Sequence, residues 1–197
     1  MIVWRFVVSF LVGSIAFAKV AMLGTGIDIT QVGSKNPGFN NVLRVSTKSR
    51  AALALVGDMS KGLLVLLLLS GIGTSPAALW VCGIAAVMGH CWSPFLKFNG
   101  GKGVAVTAGV LLFLEPRVTV ACLPLYPILR IFGRKMGWRQ EGAIASLSTM
   151  LILSTSIFVV RGAETGAFAY IMLIIVVIRH IPNLREIMAA GSGGQRA

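Results

Sequence analysis

The stretch VAVTAGVLLFLEPRVTVACLPLYPILRIF, Val104–Phe132, decides how often this chain crosses a bilayer. A helix rises about 1.5 Å per residue, so about 30 Å of hydrocarbon takes roughly 20 apolar residues. Val104–Phe132 is too long for one ordinary span, and Glu115-Pro116-Arg117 interrupts it. A proline lacks the N–H that continues a helix, and two charges flank it. Together they predict a tight reversal and two short helices. The first, Val104–Leu114, would be only about 16 Å long.

The rest of the chain fits that reading. Of 197 residues, 56% are hydrophobic and 12% charged, and the mean hydropathy is +0.85. A soluble domain carries about twice that share of charge. Further spans are expected at Ile2–Leu23, Ala51–Ile72, Ala77–Leu96, Gly142–Val160 and Gly166–Ile178, the last drawing on flanking residues. Met1–Ala21 reads as a first transmembrane helix rather than a cleaved signal, because its basic n-region is weak and Lys19 sits late. One domain over residues 1–197 is expected, with Gly191–Ala197 a polar, glycine-rich, frayed tail. Cys82, Cys91 and Cys122 have no CxxC spacing and read as small apolar fillers, with no disulfide framework and no metal site.

The formal charge is +12, from 18 Lys+Arg against 6 Asp+Glu. Nucleic acid is excluded as the partner, because the basic residues form no run and share no helix face. They lie in short gaps between apolar stretches, as membrane topology places them. Put Lys35, Arg44, Lys48 and Arg50 in the cytoplasm. Lys97 and Lys102 then return to it. A hairpin over Val104–Phe132 adds Arg130, Arg134, Lys135 and Arg139, then Arg179, Arg185 and Arg196. Arg5, Arg117 and Arg161 remain outside. The predicted fold is therefore an all-α integral membrane protein of seven transmembrane helices, some short, with the N-terminus out and the C-terminus in. A single crossing would strand the Arg134–Arg139 cluster outside.

Three polar segments then face one compartment. Gly33–Arg44 (GSKNPGFNNVLR) requires turns and left-handed backbone, and offers a hydroxyl, amides and a guanidinium to an anion. Asn99-Gly100-Gly101-Lys102-Gly103 opens into an apolar helix. Its glycines let N–H groups approach a phosphate, and Lys102 adds a full charge. The GxxxxGK[ST] spacing is absent, so this is not a nucleotide-hydrolysing loop. Arg179–Glu186 follows the last apolar run and carries His180. Asp58 and Lys61, three residues apart, predict a structural ion pair. His90 predicts packing or hydrogen bonding. Glu141, Ser146 and Ser148 sit at the next helix start.

The segments Gly33–Arg44, Asp58–Gly62, Gly89-His90, Phe95–Val104 and Arg179-His180 with Asn183 resemble, in this order, the bacterial acyl-phosphate-dependent glycerol-3-phosphate acyltransferase family. The likeness spans nearly the whole chain. It departs at Asn40, where the family usually has Thr, and at Ile181-Pro182, which replaces a more polar pair and predicts that Pro182 redirects the chain. The resemblance implies an enzyme of the cell inner membrane that moves an acyl group from acyl-phosphate to glycerol 3-phosphate at a cytoplasmic site. It implies roles for Ser34, Arg44, Lys102 and His180 in catalysis. Asn36, Asn41, Gly100, Gly101, Gly103, Ser146 and Asn183 would bind substrate. No metal and no cofactor are implied. Partners are the two substrates and membrane lipid, with oligomeric state left open. Either His180 or a substrate phosphate oxygen takes the hydroxyl proton. A His-x4-Asp signature is absent, since Phe95 stands five residues after His90. The rival readings are a transporter of a phosphorylated small molecule and a non-catalytic membrane scaffold.

Overall fold

A computed structural model describes residues 2–71 and 73–192. Among these residues all regular structure is helical. In chain order the helices are α1 (Ile2–Gly13), α2 (Phe17–Ala21), α3 (Phe39–Val45), α4 (Lys48–Ser70) and α5 (Pro76–Cys91). After a 3-10 turn at Pro94–Leu96 come α6 (Val104–Leu114), α7 (Pro116–Cys122), α8 (Leu125–Lys135), α9 (Glu141–Arg161) and α10 (Ala163–Ser192). Five stretches are long and apolar enough to cross a membrane: Ile2–Ala21, Lys48–Ser70, Pro76–Leu96, Glu141–Arg161 and Ala163–Ala189. Val104–Leu114 is shorter.

The helix starts follow local chemistry. Thr47 caps α4 by accepting the Arg50 N–H at 3.3 Å. Ser75 caps α5 through the Ala78 N–H, with Pro76 in the first turn, where its missing N–H costs nothing.

Four expectations change. The apolar run at the N-terminus is broken at Ser14-Ile15-Ala16 between α1 and α2. Val104–Phe132 breaks at Glu115, as its sequence implies, and again at Leu123-Pro124, so it holds three helices rather than two. Pro124 has no N–H for the helical ladder. Pro182 does not redirect the chain; α10 runs through it to Ser192. The helix therefore includes Gly191 and Ser192 of the expected tail, and residues 193–197 lie outside the described residues.

The described chain separates into two compact units, Met1–Pro116 and Arg117–Ala197. In the first, α4 packs against α1, α2, α3, α5 and α6. Small residues set how closely. A Cβ on Gly109 would stand 1.9 Å from the Met59 carbonyl oxygen of α4, and one on Gly62 would stand 2.5 Å from that of Val106 in α6. Gly13 and Gly89 allow the same backbone approach between α1 and α5. In lipid such van der Waals contact replaces the hydrophobic drive that joins helices in water. The break after α1 leaves carbonyls that no helical N–H can reach. Ser93 Oγ donates to that of Ser14 at 2.7 Å and Lys61 Nζ to that of Ile15 at 2.5 Å. Inside a bilayer such pairing is obligatory.

In the second unit α9 packs against α8 and α10. Ser154 Oγ donates to the Ala169 carbonyl at 3.2 Å, and the Thr155 and Tyr170 hydroxyls lie 3.0 Å apart. Phe132 and Trp138 meet edge to face at 5.5 Å.

Candidate active site

The first unit holds Ser34, Asn36, Asn41, Arg44, Gly100, Gly101, Lys102 and Gly103. The second holds Ser146, His180 and Asn183.

The Ser34 loop rests on a buried floor of Ala18, Ala21, Met22, Ile29, Val42, Ala51 and Ala54. It begins with an Asx turn. The Thr30 backbone N–H, then its hydroxyl, hold the Asp28 carboxyl below the usual carboxylate range. Asn41 staples the loop from its far end. Its Oδ1 accepts the Ser34 N–H at 2.8 Å, and its Nδ2 donates to the carbonyls of Ile29 at 3.1 Å and Val32 at 2.9 Å. Asn41 is 1% exposed. The expected substrate-binding role is therefore corrected: this amide is committed to holding the loop. Gly33 sits at φ +60°, and a Cβ there would stand 2.3 Å from Asn41 Oδ1. The staple thus demands glycine. It leaves Ser34 and Arg44 exposed and Asn36 half-buried.

The glycine–lysine loop is built differently. The Gly100 N–H donates to the Cys91 carbonyl at 3.1 Å, and the Gly101 N–H to the His90 carbonyl at 3.0 Å. A Cβ on Gly100 would stand 2.1 Å from the His90 carbonyl oxygen. The expectation that these two N–H groups face a phosphate is corrected, because they dock the loop onto the end of α5. What remains for an anion lies one residue on. Gly103 caps α6 at φ +84°, and the first helical bond runs from the Thr107 N–H to its carbonyl at 2.9 Å. The N–H groups of Val104, Ala105 and Val106 therefore have no acceptor within α6, beside a half-buried Lys102.

In the second unit His180 is 2% exposed, and its Nδ1 lies 2.8 Å from the Val176 carbonyl. A carbonyl only accepts, so Nδ1 donates. Ser146 is buried and its Oγ donates to the Gly142 carbonyl at 2.7 Å. Asn183 Nδ2 donates to Gln140 Oε1 at 2.7 Å, and Gln140 Nε2 donates to Glu186. Arg139, Gln140, Glu186 and Ala189 line a cavity of about 480 Å³. Glu141 pairs with Arg134 at 3.3 Å and Arg130 at 3.7 Å. Gln140 was not legible as Asn183's partner; the two are 43 residues apart. Among the described residues no group of three His, Cys, Asp or Glu side chains forms a metal site.

A family model described as glycerol-3-phosphate acyltransferase matches residues 3–190. The glycerol-3-phosphate acyltransferase of Sulfurimonas denitrificans is 35% identical over 187 residues, covering 91% of this chain and 89% of that one. That of Neisseria meningitidis serogroup A is 35% identical, covering 92% and 90%. The crystal structure of PlsY (YgiH), an integral membrane glycerol 3-phosphate acyltransferase, in its glycerol 3-phosphate form superposes with a TM-score of 0.82. Its identity is 26%, with 96% of this chain and 92% of that one covered. The lysophosphatidic acid form gives the same TM-score at 27% identity. With five apolar stretches of membrane-spanning length among the described residues and these likenesses, the protein is an integral membrane protein and belongs to the glycerol-3-phosphate acyltransferase family.

Proposed function

We propose that this protein transfers a fatty acyl group from an acyl-phosphate to the 1-hydroxyl of glycerol 3-phosphate. The products are lysophosphatidic acid and inorganic phosphate. The observation that carries the reading is the glycine–lysine loop opening α6, in a chain similar to an enzyme solved in glycerol 3-phosphate and lysophosphatidic acid forms. The whole chain acts as one acyltransferase domain in the cell inner membrane. It crosses seven times, N-terminus out, with its polar segments facing the cytoplasm.

The chemistry follows from charge. Two phosphorylated substrates bring roughly four negative charges if each phosphate carries about two. Lys102 and the N–H groups at the start of α6 hold the donor's phosphate. Ser34 hydrogen-bonds the donor at the reacting carbonyl, and Asn36 supports it. Arg44, His180 and Asn183 hold glycerol 3-phosphate, and Ser146 contacts the leaving phosphate once its hydroxyl turns from the Gly142 carbonyl. The 1-hydroxyl oxygen attacks the acyl carbon, the bond from that carbon to the phosphate oxygen breaks, and the phosphate leaves. The hydroxyl proton passes to a substrate phosphate oxygen. An acyl-phosphate is already activated, so positioning and charge stabilisation suffice without a covalent intermediate. The acyl chain lies between helices and enters from lipid.

The test mixes purified protein, acyl-phosphate and glycerol 3-phosphate and follows phosphate release and lysophosphatidic acid, with acyl-CoA as control. Transfer from acyl-CoA but not acyl-phosphate would overturn the donor. Glycerol 3-phosphate uptake by protein-only vesicles, without transfer, would favour the transporter. Trapping an acyl-Ser34 adduct would overturn direct transfer.

A further inference from the structure

Three ionisable side chains buried in the first unit have no part in that chemistry. Asp58, Lys61 and His90 are 2%, 4% and 7% exposed. Lys61 is the hub. Its ammonium pairs with the Asp58 carboxylate, 2.8 Å from Oδ1, donates to the Ile15 carbonyl at 2.5 Å and lies 2.9 Å from His90 Nδ1, which is itself 3.5 Å from Asp58 Oδ1. Lys61 and Asp58 thus meet the Nδ1 edge of the His90 ring and turn its Nε2 edge the other way. That edge abuts the glycine–lysine loop. A Cβ built on Gly101 would stand 2.1 Å from Nε2 and 2.8 Å from Cε1. The Gly101 N–H is meanwhile bonded to the His90 carbonyl. His90 therefore holds the residue next to Lys102 twice, by its backbone and by its ring.

We propose that His90 is a positioning residue for the Lys102 loop, with its ring orientation set by Lys61 and Asp58, and that this buried triad tunes affinity for the phosphate group of the acyl donor. An apolar trio would join α4 to α5 without the desolvation cost of buried charge. It would not fix the rotation of an imidazole. Helix α4 also packs against α6 through Gly62 and Gly109, so it steadies the segment on both sides of Lys102. The inference rests on the reading of this loop as the donor's phosphate site.

The test varies each substrate in turn at saturation of the other, for the purified full-length protein and four variants. The D58L/K61M pair removes both charges together, so no lone buried charge is left to unfold the protein. The Ile15 carbonyl loses its donor in this pair, so the thermal unfolding transition is expected to fall while the protein stays folded; KM for acyl-phosphate is expected to rise about tenfold and KM for glycerol 3-phosphate to stay within about twofold. Gly101→Ala alone should raise the acyl-phosphate KM at least about tenfold; added to His90→Ala, which removes the ring, it should add less than about twofold. A wild-type KM in D58L/K61M would overturn the proposal. So would parallel rises in both KM values, or an equal Gly101→Ala effect in both backgrounds. If the wild-type protein itself transfers nothing from acyl-phosphate, the functional reading fails instead. The His90–Gly101 coupling then remains measurable in thermal unfolding, so the two failures are distinct.

Discussion

The Ser34 loop and the Lys102 loop belong to the same unit, and both carry glycine, asparagine and lysine, yet they are built in opposite senses. In the first, one buried side chain, Asn41, reaches back to hold the backbone, which leaves Ser34 and Arg44 exposed. In the second, the backbone N–H groups turn inward onto the last carbonyls of α5, and an imidazole fills the space that Gly101 leaves. Glycine in the first loop permits a left-handed turn. In the second it permits close approach. The same composition thus presents side chains in one place and buries N–H groups in another.

Replacing the charges is the largest test of that contrast. Lys102→Ala and Arg44→Ala should each lower the initial rate of acyl transfer by about 10²-fold or more, if each cation stabilises developing phosphate charge. Near-normal rates in both, with the thermal transition unchanged, would remove both loops from the site. Next comes the staple. Asn41→Ala leaves the Ser34 N–H and the carbonyls of Ile29 and Val32 without their partner. Buried polar groups so exposed cost about 1–3 kcal/mol each, less wherever water enters. The variant should therefore show a lowered unfolding temperature and faster proteolysis between Ile29 and Asn36. Unchanged values would show that the loop's shape does not depend on Asn41. The smallest effect is expected at Lys97, which is exposed and holds φ +49° at the end of the 3-10 turn. Lys97→Gly should shift stability by no more than about 1 kcal/mol, in the stabilising direction, because the left-handed conformation penalises a Cβ. Turnover should be unchanged. A large loss of turnover would give the Lys97 charge a role that belongs here to Lys102.

Much of this was readable without coordinates, and the limits are physical. The break at Glu115 follows from a proline between two charges, and the Asp58–Lys61 pair from a spacing of three on a helix. The second break, at Leu123-Pro124, was missed because its flanking residues are apolar and the run reads as continuous. The N-terminal break at Ser14-Ile15-Ala16 carries no glycine or proline; it stands because Ser93 and Lys61 satisfy the released carbonyls. His90 offered one signal, an ionisable side chain inside an apolar helix, but its partner Lys61 is 29 residues away.

From the amino-acid order alone come the apolar spans, the excess of positive charge in the gaps between them, and the identity of the glycine–lysine and Ser34 segments. These depend on composition and on neighbours a few residues apart. The tertiary structure decided the use of each group: Asn41 as a staple, Gly100 and Gly101 as docking points, and His90 held by Lys61. A hydrogen bond needs its two atoms within about 3 Å, and for these groups most of those distances are set by how whole helices pack, with even Asn41 reaching as far back as Ile29.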